Sequence, residues 1–146
     1  MACLADVNFL VALAHEAHEH SRRAGAWLEK PASAPTIALC RVAQMGMLRI
    51  LTNRSWLKAE VRSAAEVWAA WDALLSDDRF VFLDEPVGLE REWRRLTGEL
   101  ATTRAVETDS YLAAFALAAD LPVLTFDRAF GTGLAGGQRL RIEVPA

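Results

Sequence analysis

Only two cysteines occur, Cys3 and Cys40, too few for a disulfide framework. Both lie in apolar stretches and read as buried free thiols of a reducing cytoplasm. No apolar run approaches the roughly 18–20 residues that a membrane span requires, so a membrane is not an expected partner. The opening Met1-Ala2-Cys3-Leu4-Ala5-Asp6 lacks a basic region and meets an acid at once, which argues against a secretory signal. Positive charge is not in excess either. The 16 Lys+Arg stand against 19 Asp+Glu, a net charge of -3, which excludes a polybasic nucleic-acid coat. Internal repeats and low-complexity tails are missing, and the 5 prolines and 8 glycines punctuate the chain rather than dominate it. What is abundant is alanine, 27 of 146 residues within a hydrophobic fraction of 53%, a composition suited to packed helices. The length is that of a single domain over residues 1–146, large enough to bury a core.

Hydrophobic patterning then divides the chain. Cys3-Leu4-Ala5 is a short apolar run ending at Asp6, the pattern of a buried strand, and Val7 to Ala14 continues as a helix. A second helix is expected over His18 to Lys30, with Trp27 and Leu28 inward and Pro31 to Pro35 as its stop. Thr36 to Leu39 reads as a short strand or a helix lead-in, and Cys40 to Thr52 as a strongly apolar helix. Ser63 to Leu75 is helical, with Val67, Trp68, Trp71, Leu74 and Leu75 on its apolar face. Arg79 to Leu83 is a strand signal. Pro86 is expected to open a helix carrying Leu89, Trp93, Leu96 and Leu100, and Asp109 to open an alanine-rich helix ending at Ala119. Leu121 to Phe126 is a buried strand ending at Asp127, and Leu140 to Val144 alternates as an edge strand. Strands interleaved with helices define an α/β fold with a mostly parallel central sheet flanked by helices.

In such sheets functional groups gather beyond the carboxyl ends of the strands. Asp6 and Asp127 each terminate a strand, and Asp109 opens a helix, so three acids fall on one rim. Each has an ordinary structural use as well: Asp6 and Asp109 as helix caps, Asp127 as a turn residue. Together they point to a hard divalent cation, because clustered carboxylates repel one another without one. A cation held by carboxylates points in turn to phosphate chemistry. Arg128 adjoins the rim, a cation beside the expected phosphate site.

Four segments carry a family resemblance: Leu4-Ala5-Asp6-Val7-Asn8-Phe9-Leu10-Val11-Ala12-Leu13, Gly46-Met47-Leu48-Arg49-Ile50-Leu51-Thr52-Asn53, Thr108-Asp109-Ser110-Tyr111-Leu112-Ala113-Ala114-Phe115-Ala116, and Leu124-Thr125-Phe126-Asp127-Arg128-Ala129-Phe130. In this order they resemble the PIN-domain ribonucleases, and among them the VapC-type toxins of bacterial toxin–antitoxin pairs. The resemblance implies a PIN-like fold and an endoribonuclease dependent on Mg2+ or Mn2+ that leaves a 5'-phosphate. It also implies a cognate antitoxin and a homodimer. Asp6, Asp109 and Asp127 match three members of the family's acidic quartet and are the implied metal ligands. Asn8 and Thr125 match polar neighbours that line the site. The fourth catalytic position, usually Glu on the third helix, is Gln44 here. An amide supplies no negative charge and cannot act as a base, so metal affinity should fall. The alternative is a catalytically weakened PIN domain that binds RNA or protein. The family's antitoxin groove between its early helices would suit Trp56, the tryptophan expected to be exposed.

Other signals are weaker. Gly131-Thr132-Gly133-Leu134-Ala135-Gly136 has the spacing of a dinucleotide fingerprint but lacks the helix, strand and acid that must follow, and reads as a flexible loop. His15, His18 and His20 lie among Glu16 and Glu19 without zinc-binding register and read as a solvated helix start. Arg91, Arg94 and Arg95 form one basic face; Arg128, Arg139 and Arg141 form another. A phosphatase of the haloacid dehalogenase type also uses strand-end aspartates, but Asp6-Val7-Asn8 lacks its second acid.

Overall fold

A computed structural model describes residues 2–30, 36–100 and 106–146. Five short strands form the sheet: β1 (Cys3–Ala5), β2 (Ile37–Leu39), β3 (Phe80–Phe82), β4 (Val123–Leu124) and β5 (Ile142–Glu143). Every pairing among them is parallel, in the order β3-β2-β1-β4-β5. β1, β2 and β4 are buried at every position, so their sequences are continuous apolar runs rather than alternating ones. β5 lies at the edge and keeps its alternation. The run at Thr36 to Leu39 resolves as a strand because it pairs with β1 on one side and β3 on the other.

The helices are α1 (Val7–Ala14), α2 (Ser21–Leu28), α3 (Arg41–Leu51), α4 (Arg54–Leu57), α5 (Ala64–Leu75), α6 (Leu89–Thr97) and α7 (Val106–Ala119). α1 and α3 begin within two residues of a strand end, and α1 packs on α3 at Gly46. A Cβ at Gly46 would lie 2.6 Å from a Val7 methyl, so only glycine permits this approach. α5 opens with a capping box: the Ser63 hydroxyl accepts from the Glu66 N–H, and the Glu66 carboxylate accepts from the Ser63 N–H. The core collects Leu4, Phe9, Leu10, Leu39, Met47, Leu112 and Phe115 between the sheet and its helical layers.

Several expected boundaries shift. α2 starts at Ser21, since His15 to His20 form turns before it. The proline-rich stop at residues 31–35 lies outside the described residues. α6 starts at Leu89 rather than Pro86 because Gly88 stands at φ 88°, a left-handed conformation that helix propagation cannot cross. It ends at Thr97, leaving Leu100 beyond it. α7 starts at Val106, so Asp109 lies inside its first turn instead of opening it. On α5, Val67 and Trp71 are buried while Trp68 and Leu75 are exposed, a narrower inward face than the spacing suggested. Trp56 is exposed as expected.

The strand order carries the consequence for function. The chain builds outward from β1 through β2 to β3, then returns to place β4 on the other side of β1. At such a reversal the loops leaving adjacent strands diverge in opposite directions and open a crevice. The residues that leave β1 and β4 at this crevice are Asp6 and Thr125 to Asp127.

Candidate active site

Asp6 is held from both sides. Its Oδ1 accepts the Val7 N–H at 2.7 Å, which caps α1. Its Oδ2 accepts the Thr125 hydroxyl at 2.7 Å, across the crevice. Its own N–H bonds to the Leu124 carbonyl at 2.9 Å, continuing the β1–β4 ladder to the rim. Capping and site geometry are therefore the same arrangement. Thr125 is fully buried and works as a hub. Its oxygen also accepts the Asn8 amide at 3.0 Å and the Asp127 N–H at 3.0 Å. The Asn8 carbonyl oxygen accepts the Phe126 N–H at 3.1 Å, and Asp127 Oδ1 accepts the Ala129 N–H at 2.9 Å. Asn8 and Thr125 thus fix the backbone leaving β4 against the helix leaving β1.

Asp109 approaches from α7. Its neighbour Ser110 is fully buried and accepts the Trp93 indole N–H at 2.8 Å, which locks the first turn of α7 onto α6. Asp6 feels the charges of the other two aspartates. Burial, then the negative charges of Asp109 and Asp127, push the Asp6 carboxyl up to about 6, against the opposing pull of the Thr125 hydroxyl and the Val7 N–H. Burial and the charge of Asp127 raise Asp109 as well. Asp127 itself is exposed. Among the described residues, no three His, Cys, Asp or Glu side chains are gathered into a ready-made metal cage. The rim is an anionic crevice with mutual repulsion rather than a closed cluster.

Gln44 is buried on α3, and its Oε1 accepts a hydrogen bond from the Arg41 guanidinium. The amide is thus satisfied by a cation from its own helix. Arg128 is exposed and makes no ion pair among the described residues.

Tertiary packing adds groups that spacing did not reveal. His20 stacks on Phe126 at 4.4 Å, and the Arg23 guanidinium lies 5.1 Å over the same ring. His15 pairs with Glu60 at 3.1 Å. These histidines are half-buried, not a solvated helix start. Tyr111, one turn from the start of α7, donates to Glu85 beyond β3 at 2.7 Å, and Arg41 stacks over Phe82 at 4.8 Å. The basic faces are largely neutralised: Arg94 pairs with Glu90, Arg95 and Arg139 with Glu92, and Arg141 with Asp120. The glycine-rich segment forms turns, with Gly131, Gly133 and Gly136 all at positive φ.

Fold and site together define a parallel α/β protein with a carboxylate-lined crevice at its topological switch point. The PIN domain family model matches residues 3–132, and the chain belongs to that family. It is 41% identical over 143 residues to Ribonuclease VapC41 of Mycobacterium tuberculosis, in both strain CDC 1551 / Oshkosh and strain ATCC 25618 / H37Rv, covering 95% of this chain and 97% of the relative. Among solved structures, VapBC2 from Rickettsia felis, bound to a DNA fragment from its promoter, gives a TM-score of 0.71 at 17% identity, covering 99% of this chain and 98% of that one. Mycobacterium tuberculosis VapC20, a Sarcin-Ricin loop cleaving toxin, gives 0.66 at 16% identity, covering 92% of this chain and 96% of that one. At those identities the two structures speak for the fold.

Proposed function

We propose that the protein is a metal-dependent endoribonuclease, the toxin of a toxin–antitoxin pair, built as a single PIN domain over residues 1–146. The observation that carries this reading is the hydrogen-bonded rim that ties Asp6 and the Asp127 backbone to one Thr125 hydroxyl, where the charges of Asp109 and Asp127 add to the burial that raises the Asp6 carboxyl. Ionised carboxylates brought together in this way are relieved by a divalent cation. The likeness to a ribonuclease over nearly the whole chain supports the substrate class. The donor set fits a hard cation such as Mg2+ or Mn2+: oxygen ligands only, arranged openly enough to leave room for water and phosphate.

Asp6, Asp109 and Asp127 would hold the ion. When bound, it supplies Lewis-acid activation of water and neutralises charge on the phosphate under attack. Thr125 and Asn8 orient Asp6 and the Asp127 backbone, so the carboxylates do not have to reorganise for each substrate. Arg128 contacts the RNA backbone beside the site. The exposed apolar side chains Met45 on α3, Trp56 on α4 and Trp68 on α5 supply a surface for an antitoxin helix. A homodimer and a cytoplasmic location complete the reading. Among the described residues no helix is long and apolar enough to cross a membrane.

The test is calorimetry with Mn2+ beside cleavage of single-stranded RNA. Native protein binds Mn2+ and cuts; Asp6→Asn and Asp127→Asn lose cleavage by at least about a hundredfold and bind Mn2+ more weakly. Full activity in either variant sinks the assignment. One observation favours a second reading. The hydrogen bond from Arg41 brings positive charge to Gln44, where the family usually has an acid. A protein that binds RNA but holds metal poorly would gain Mn2+ affinity on Gln44→Glu. Native metal binding already at full strength excludes it.

A further inference from the structure

We propose that the cleft between α3, the end of β3 and α7 is a nucleobase subsite that takes guanine beside the scissile phosphate, an inference that rests on the ribonuclease reading. The cleft holds about 260 Å³ and is lined by Arg41, Phe82, Asp84, Glu85, Tyr111 and Phe115. That is below the roughly 300–1,000 Å³ of sites for drug-sized molecules and is the scale of one base. It opens on the same rim of the sheet as the aspartate crevice: β1, β2 and β3 are parallel neighbours, Asp6 directly follows β1, Arg41 stands two residues after β2 ends at Leu39, and Asp84 and Glu85 follow β3 within three residues.

The chemistry selects a base and rejects a phosphate. Asp84 and Glu85 are adjacent, exposed carboxylates, and the cleft offers them a single cation, Arg41. Two anions against one cation repel the RNA backbone but attract N–H donors on a base edge. Arg41 is exposed and stacked on Phe82, 4.8 Å from the ring centroid, a flat cationic platform of the kind on which bases stack. Glu85 is oriented for reading: its Oε1 accepts the Tyr111 hydroxyl at 2.7 Å. Among the described residues, its Oε2 accepts no hydrogen bond and no cation pairs with it. A carboxylate is acceptor-only. Guanine presents N1–H and N2–H side by side and matches it best; the other bases offer at most one such donor beside an acceptor.

The experiment maps cleavage ends in a degenerate single-stranded RNA pool with Mn2+. It also measures binding of short fluorescent RNAs in EDTA that differ at one base. Native protein, Glu85→Gln and Tyr111→Phe are compared. Native protein is expected to prefer guanine at one position flanking the cut by about tenfold, the scale of a good bidentate contact. Glu85→Gln loses that preference and moves toward adenine, because an amide both donates and accepts. Glu85 is exposed, so this variant should fold normally; Tyr111→Phe keeps the ring packing and reduces the guanine preference in part. If all three proteins cut and bind with one pattern, or the native protein shows no base preference beside the cut, the subsite is refuted and the ribonuclease stands. If native protein neither binds nor cuts any RNA, both fall together.

Discussion

Asp6 serves as cap, hydrogen-bond acceptor and proposed ligand at once, and its environment makes the charge costly. The folded carboxyl titrates near 6 against an ordinary 3.8, a difference of roughly 3 kcal/mol between its charged and neutral forms. The sign follows from linkage. Between about pH 4 and pH 6 the folded state retains a proton that the unfolded chain has released, so this residue's contribution falls as pH rises and remains unfavourable above pH 6. Asp109 acts in the same direction. Asp6→Asn keeps the oxygen that caps α1 and removes the charge, but turns its amide N–H toward the Thr125 hydroxyl, whose oxygen already accepts from Asn8 and Asp127. In EDTA its stability relative to native protein should rise by about 2–3 kcal/mol from pH 4 to pH 7, on top of a constant cost for that lost hydrogen bond. Urea denaturation of both proteins across that range measures it. An equal gap at both ends of the range would contradict the burial-driven shift.

At the scale of elements, the site depends on how closely α1 and α3 approach. Asp6 opens α1 and Gln44 lies on α3, and the two helices meet where Gly46 faces Val7. Valine is branched at Cβ and cannot swing aside. Gly46→Ala gains helix propensity but should still lower stability by about 1–3 kcal/mol through overpacking. A thermal melt reads the sign directly, and a stabilised variant would show that the helices separate freely. The same scale explains the shifted boundaries. Pro86 has a good residue for a first helical turn, yet Gly88 at positive φ delays α6 to Leu89. At α7 the chain enters the helix ahead of Asp109, which turns that acid from a cap into a side chain on the first turn.

Over the whole molecule, the net charge is -3, and of the two basic faces Arg94, Arg95, Arg139 and Arg141 pair with acids, which leaves Arg91 and Arg128 outside ion pairs among the described residues. Binding should depend weakly on salt. Each phosphate neutralised on a single strand contributes about -0.7 to the slope of log K against log salt, so Arg128→Ala should make the slope shallower by about that amount. Fluorescence anisotropy from low to moderate salt, with EDTA present, gives both slopes. An unchanged slope would remove Arg128 from the RNA path.

The order of strands and helices was legible because it follows from local pattern: apolar runs at Cys3 to Ala5 and Val123 to Leu124, each followed within a few residues by an acid, mark strand ends. Parallel α/β topology then puts such ends on one rim without further information. Partners across the chain were not legible. Thr125 meets Asp6 from 119 positions away, and Glu85 meets Tyr111 from 26. Arg41 beneath Gln44 had the right spacing on α3, but its stacking on Phe82 required β3 to lie beside β2. Local sequence carries periodicity and turn chemistry. Proximity between distant segments, and the burial that moves a carboxyl's pKa, exist only once the sheet has closed its layers around them.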